Sequence, residues 1–124
     1  MKVLLVDDTR TLLSLIQVYL IGWNIQFIEA KDGVDGLKKA REHRPNLVIS
    51  DVRMPGMDGF ELTAALRSDV FLHGTPVILL TSLNDEASRR KGRLVGATAF
   101  LTKPVSVEEL RRQVGTILKL PFKR

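Results

Sequence analysis

The sequence predicts an α/β domain, a doubly wound parallel sheet of five strands flanked by five helices. Three observations lead there. Five strand-sized apolar segments alternate with stretches of helical spacing, and turn-forming Gly, Asn and Pro residues fall between them. The first, third and fourth apolar segments are nearly unbroken, as suits strands covered on both faces of a parallel sheet. Strand and helix alternating in this way favour right-handed crossovers.

The first strand is predicted over Lys2 to Val6, and Leu12, Leu13, Ile16 and Leu20 then recur at the spacing of an amphipathic helix. Gln26 to Ala30 forms the second strand. Asp32-Gly33 turns the chain into a second helix marked by Val34, Leu37, Ala40 and Arg41, and Arg44-Pro45-Asn46 leads out of it. The third strand, Leu47 to Ser50, is followed by a helix carrying Phe60, Leu62, Ala65 and Leu66. Gly74-Thr75-Pro76 precedes the fourth strand, Val77 to Leu80. Asp85 to Val95 has the faintest helical pattern, because Gly92 interrupts it and Arg89, Arg90, Lys91 and Arg93 leave few apolar positions; mobility is expected there. Ala99 to Leu101 is the fifth strand, and Val107, Leu110, Val114, Ile117 and Leu118 mark the last helix.

At 124 residues the chain fits one domain, residues 1–124, with no effector domain expected. An apolar share of 44% beside 27% charged residues is that of a globular protein and excludes a disordered or fibrous class. No apolar run approaches the roughly 20 residues of a membrane span, and Met1-Lys2 begins no signal peptide, so a cytoplasmic location is expected. The absence of Cys excludes disulfides, thiolate metal sites and a Cys nucleophile. His43 and His73 are too far apart in sequence to suggest a zinc cage. The net charge of +5 is uneven: residues 1–84 hold 9 Lys/Arg against 10 Asp/Glu, a balance of −1, and residues 85–124 hold 10 against 4, a balance of +6. That basic second part suits an acidic partner surface or merely a solvated face.

In doubly wound sheets the site lies beyond the carboxyl ends of the strands. There the sequence places Asp7-Asp8 after the first strand, Asp51 after the third, Thr81-Ser82 after the fourth and Thr102-Lys103-Pro104 after the fifth. Three convergent carboxylates repel one another unless a cation compensates them, and Mg²⁺, which takes few protein ligands and keeps waters, fits best. Asp51 is the central carboxylate and a candidate nucleophile toward a phosphorylated donor. A lysine ammonium and a hydroxyl, Lys103 and Thr81, can hold the transferred group's oxygens. Taken singly, each residue has a plainer explanation: an Asp after a strand is commonly a turn former or helix cap, Thr9 or Asp8 could cap the first helix, and Lys-Pro is a bend. Their joint occurrence at four strand ends points to a site.

Leu4-Leu5-Val6-Asp7-Asp8, the Asp51-Val52-Arg53-Met54-Pro55-Gly56-Met57-Asp58-Gly59 segment, Leu80-Thr81-Ser82 and Leu101-Thr102-Lys103-Pro104 together resemble the receiver family of response regulators, along the full length of the chain. The Asp-x-x-Met-Pro-x-x-Asp-Gly segment is the most specific of these motifs. The resemblance implies a flavodoxin-like fold with strand order 2-1-3-4-5 and a bacterial two-component signalling role. Asp51 would accept a phosphoryl group from a sensor histidine kinase or phosphotransfer protein. Asp8 would bind Mg²⁺ directly, Asp7 largely through water, and Arg53 through its main-chain carbonyl. Thr81 and Lys103 would contact the phosphoryl oxygens, Phe100 would be the switch aromatic paired with Thr81, and Lys103-Pro104 would be a cis peptide. Arg53 and Leu83 border the path of a hydrolytic water. Output is expected through the fourth helix, fifth strand and fifth helix, where Arg89, Arg90, Lys91, Arg93, Arg111 and Arg112 suggest an acidic downstream protein; a phosphorylation-dependent dimer is also compatible.

Three rival functions fit the sequence less well. A haloacid-dehalogenase-type phosphohydrolase should end its first strand in Asp-x-Asp and carry a substrate cap, whereas this strand ends in Asp7-Asp8-Thr9 and no segment is left for a cap. A pseudo-receiver scaffold is opposed by the intact Asp7, Asp8, Asp51, Thr81 and Lys103. Direct nucleic-acid binding has no helix-turn-helix or aromatic platform behind it. The expected role is a phospho-accepting switch and not a turnover enzyme.

Overall fold

The computed structural model describes residues 1–82 and 85–121. Its elements are β1 (Lys2–Val6), α1 (Arg10–Tyr19), β2 (Gln26–Ala30), α2 (Gly33–His43), β3 (Leu47–Asp51), α3 (Gly59–Arg67), β4 (Val77–Thr81), α4 (Glu86–Val95), β5 (Ala99–Thr102) and α5 (Val107–Leu118). The five strands form one sheet in the order β2-β1-β3-β4-β5, every pairing parallel. The expected fold class and strand order are both present.

Strand alternation divides the core in two. Val3, Leu5, Leu47, Ile49, Ile78, Leu80 and Leu101 face one side, with Leu13 and Ile16 of α1 and Leu110, Val114 and Leu118 of α5. Leu4, Val6, Val48, Val77 and Leu79 face the other, under Ala40 of α2 and Leu62 and Leu66 of α3. Burying each of these Val, Leu and Ile side chains stabilises the fold by about 1.5–3 kcal/mol, so both sheet faces need their helices. β1, β3 and β4 are nearly or fully closed from solvent along their length, as their unbroken apolar runs require.

Short polar residues start the helices. Asp32, Asp58, Asp85 and Ser106 each accept a hydrogen bond from the main-chain N–H three residues on, and Asp58 forms a reciprocal capping box with Glu61. Thr9 stands at the N-cap of α1 without a side-chain cap bond. At the far end of the sheet, Trp23 Nε1 donates to the Pro121 carbonyl at 2.8 Å. Arg111 lays its guanidinium 4.2 Å from the Trp23 ring centroid and donates to the carbonyls of Tyr19 and Ile21. α5 is thereby pinned to the end of α1. Among the described residues, no helix is long and apolar enough to cross a membrane.

Candidate functional site

β3, β4 and β5 each run one residue further than their apolar segments, so Asp51, Thr81 and Thr102 are the last residues of their strands. The ladder aligns them, with Asp51 opposite Leu80 and Thr81 opposite Thr102. Because all strands are parallel, their carboxyl ends and the Asp7-Asp8 pair after β1 share one edge of the sheet.

Asp51 is 7% exposed; its Oδ1 accepts from the Val52 N–H at 2.8 Å and lies 3.1 Å from Lys103 Nζ. The Lys103 main-chain N–H donates to the Thr81 carbonyl at 2.8 Å, which ties the lysine to the end of β4, and its peptide bond to Pro104 is cis. Thr81 is 1% exposed. Gly59, which starts α3, brings the loop after Asp51 back on itself: a Cβ there would stand 2.4 Å from the Asp51 carbonyl oxygen and 2.9 Å from Val52 Cα. Only glycine permits that approach, a reason for the Asp-Gly pair that its turn propensity alone does not give.

The two aspartates after β1 differ sharply. Asp8 is exposed, whereas Asp7 is 2% exposed. Asp7 Oδ1 accepts from the Thr9 N–H at 2.6 Å, while Oδ2 is buried with no hydrogen-bond partner among the described residues and stands 4.0 Å from Lys103 Nζ. Burial pushes the Asp7 carboxyl from its ordinary 3.8 up to about 6, with the nearby Asp51 charge adding to the rise and the Thr9 N–H and Lys103 opposing it. Carboxylate oxygens of Asp7, Asp8 and Asp51 lie within 4.8 Å of one another. No histidine joins such a cluster among the described residues.

Arg53 is exposed two residues beyond Asp51, and Leu83 lies outside the described residues. Phe100 is half-buried under α4, where the Arg89 guanidinium carbon is 5.8 Å from its ring centroid. The structure does not gather the six basic residues of the second part on one face. Arg89 reaches β5, donating to Thr102 Oγ1 at 3.4 Å, but Lys91 turns the other way, its Nζ 5.0 Å from the Phe60 ring of α3. Arg93 pairs with Glu86 and Arg112 with Glu109 on their own helices. Arg111 is turned to α1, Trp23 and the adjoining loop, and Arg90 is exposed. Element membership was legible in the sequence; the rotation of each helix, which decides these partners, was not.

The family model of the response regulator receiver domain matches residues 3–115. Protein PilG of Pseudomonas aeruginosa is 36% identical over 110 residues, covering 89% of this chain and 82% of its own. Protein PilH of the same organism is 34% identical over 117 residues, covering 94% and 97%. Among solved structures, chemotaxis protein CheY4 of Vibrio cholerae aligns with a TM-score of 0.86 at 34% identity, over 94% of this chain and 97% of that one. The receiver domain of Francisella response regulator 1452 aligns with a TM-score of 0.87 at 30% identity, over 95% and 96%. With its sheet order, its acidic edge and these relatives, the chain belongs to the response regulator receiver domain family of two-component signalling proteins.

Proposed function

We propose that this domain is a cytoplasmic switch in which Asp51 accepts a phosphoryl group, with Mg²⁺, from a sensor histidine kinase or phosphotransfer protein. The phosphorylated state then alters contacts with a downstream protein through the α4, β5 and α5 face. One observation carries the reading: the Lys103 ammonium lies 3.1 Å from Asp51 and 4.0 Å from a buried Asp7 carboxylate oxygen that no group among the described residues hydrogen-bonds. A buried acceptor without a donor is costly, and a hard cation offsets that cost where no protein donor does. The donor set fits: Asp7, Asp8, Asp51 and the Arg53 main-chain carbonyl would hold Mg²⁺. The ion would offset the carboxylate charge that faces an incoming phosphate.

The chain's own residues supply the rest. A carboxylate oxygen of Asp51 forms the new bond to phosphorus as the bond to the donor's imidazole nitrogen breaks. That nitrogen keeps the bonding pair, and the ring, already protonated on its other nitrogen, leaves as neutral imidazole. Lys103 neutralises the phosphoryl oxygens, and Thr81, buried at the end of β4, offers a hydroxyl to them. Thr81, Thr102 and Phe100 project to the same sheet face, beneath α4, so a turn of Thr81 toward the phosphoryl group reaches that helix through Phe100.

Acetyl phosphate with Mg²⁺ should add one phosphoryl group, read by intact mass, and chelation should prevent it. Asp51→Asn should abolish the label; a variant modified as fast as wild type refutes the assignment.

A further inference from the structure

Gly92 is the buried residue of α4. A methyl group on its Cα would stand 2.8 Å from Phe100 Cδ2, closer than such carbon atoms approach, and a tight 3.2 Å from Cε2. The residue makes no turn there and lies in mid-helix, where glycine is among the poorest choices. What it provides is a seat for the Phe100 ring. The Arg89 guanidinium lies over the same ring and hydrogen-bonds Thr102, the register partner of Thr81. α4 therefore meets β5 at the Phe100 ring, which packs against Gly92 and is approached by the Arg89 cation, and at the hydrogen bond from Arg89 to Thr102.

We infer that Gly92 and Arg89 are positioning residues that set the orientation of Phe100 and, through it, how readily Asp51 takes a phosphoryl group. The inference rests on the reading of Asp51 as acceptor and of Thr81 and Phe100 as a coupled pair. Thr81 is closed from solvent and shares its sheet face with Phe100, so its hydroxyl turns toward Asp51 more easily once the ring leaves the seat and fills the space vacated. Holding the ring on Gly92 opposes that step. Filling the seat favours it, as a shift in the population of ring positions.

The test is a double-mutant cycle on the holodomain with Mg²⁺ and beryllofluoride, an acyl-phosphate analogue, as probe. Gly92→Ala should displace the Phe100 ring resonances and lower the beryllofluoride concentration for half-saturation at least fivefold. Arg89→Ala should act in the same direction and less. In a Phe100→Ala background the Gly92→Ala effect should vanish, because no ring is left to displace. Half-saturation unchanged within twofold, or raised, in Gly92→Ala overturns the inference. So does an effect that persists undiminished without Phe100, which would trace it to the helix propensity of α4, and so do unmoved ring resonances. A wild-type protein that takes no beryllofluoride at Asp51 overturns the acceptor reading itself, and the coupling with it; the ring resonances still report whether Gly92 seats Phe100.

Discussion

The buried Asp7 carboxyl should make this domain more stable when its charge is removed. Its value rises from 3.8 to about 6 in the folded protein, chiefly through burial, so between those limits the folded state keeps a proton that the unfolded chain has lost. Stability must then fall as pH rises through this window, and the cost is fully present at neutral pH. About 2 units at 1.36 kcal/mol each put it near 3 kcal/mol as an upper figure. Asp7→Asn keeps the Oδ1 acceptor for the Thr9 N–H and removes the buried charge shared with Oδ2, which has no hydrogen bond among the described residues. In the presence of a chelator at pH 7.5 the variant should gain about 1–3 kcal/mol in urea unfolding, or roughly 4–10 °C in Tm for a domain of this size. Near pH 4 the gain should shrink toward zero. Mg²⁺ should narrow the gap at pH 7.5 by stabilising the wild type more than the variant. An Asn variant no more stable than wild type at pH 7.5, or one with the same gain at both pH values, refutes the electrostatic account of Asp7.

Three further outcomes follow from other contacts. Mg²⁺ should raise the wild-type Tm, and Asp8→Ala should erase most of that rise; an unchanged metal response removes Asp8 from the ion's ligands. Gly59→Ala places a methyl 2.4 Å from the Asp51 carbonyl oxygen, an atom that cannot yield without moving β3, so unfolding measurements should show a loss of about 1–3 kcal/mol together with slower acetyl-phosphate labelling. Arg111→Ala should cost about 1–2 kcal/mol through its lost carbonyl bonds and shift the fluorescence of Trp23, the sole tryptophan, while leaving the labelling rate unchanged.

What the sequence made legible, and what it hid, divides along one physical line. Apolar side chains announce themselves by periodicity, and so the five strands and five helices could be placed from runs such as Val77 to Leu80. Asp51, Thr81 and Thr102 escaped the strand assignments because their polar identity ends each run, although the backbone ladder continues through them. α4 was the faintest helix for the complementary reason: its buried position is a glycine, and a contact made by the absence of a side chain leaves no apolar mark. The basic residues show the limit again, since assigning Lys91 and Arg111 to elements does not tell which neighbour each helix turns them toward. Asp7 and Asp8 are the most instructive pair, adjacent and chemically identical. Asp7 continues the alternation of Val3 and Leu5 beyond the end of β1, its main-chain N–H still bonded to the Ala30 carbonyl at 3.1 Å, while Asp8 turns out to solvent. The sheet itself thus drives a carboxylate into a buried position where the neighbouring Thr9 N–H satisfies one oxygen and not the other. The oxygen left without a hydrogen bond there, among the described residues, is the feature that makes the edge a candidate cation site and not merely an acidic turn.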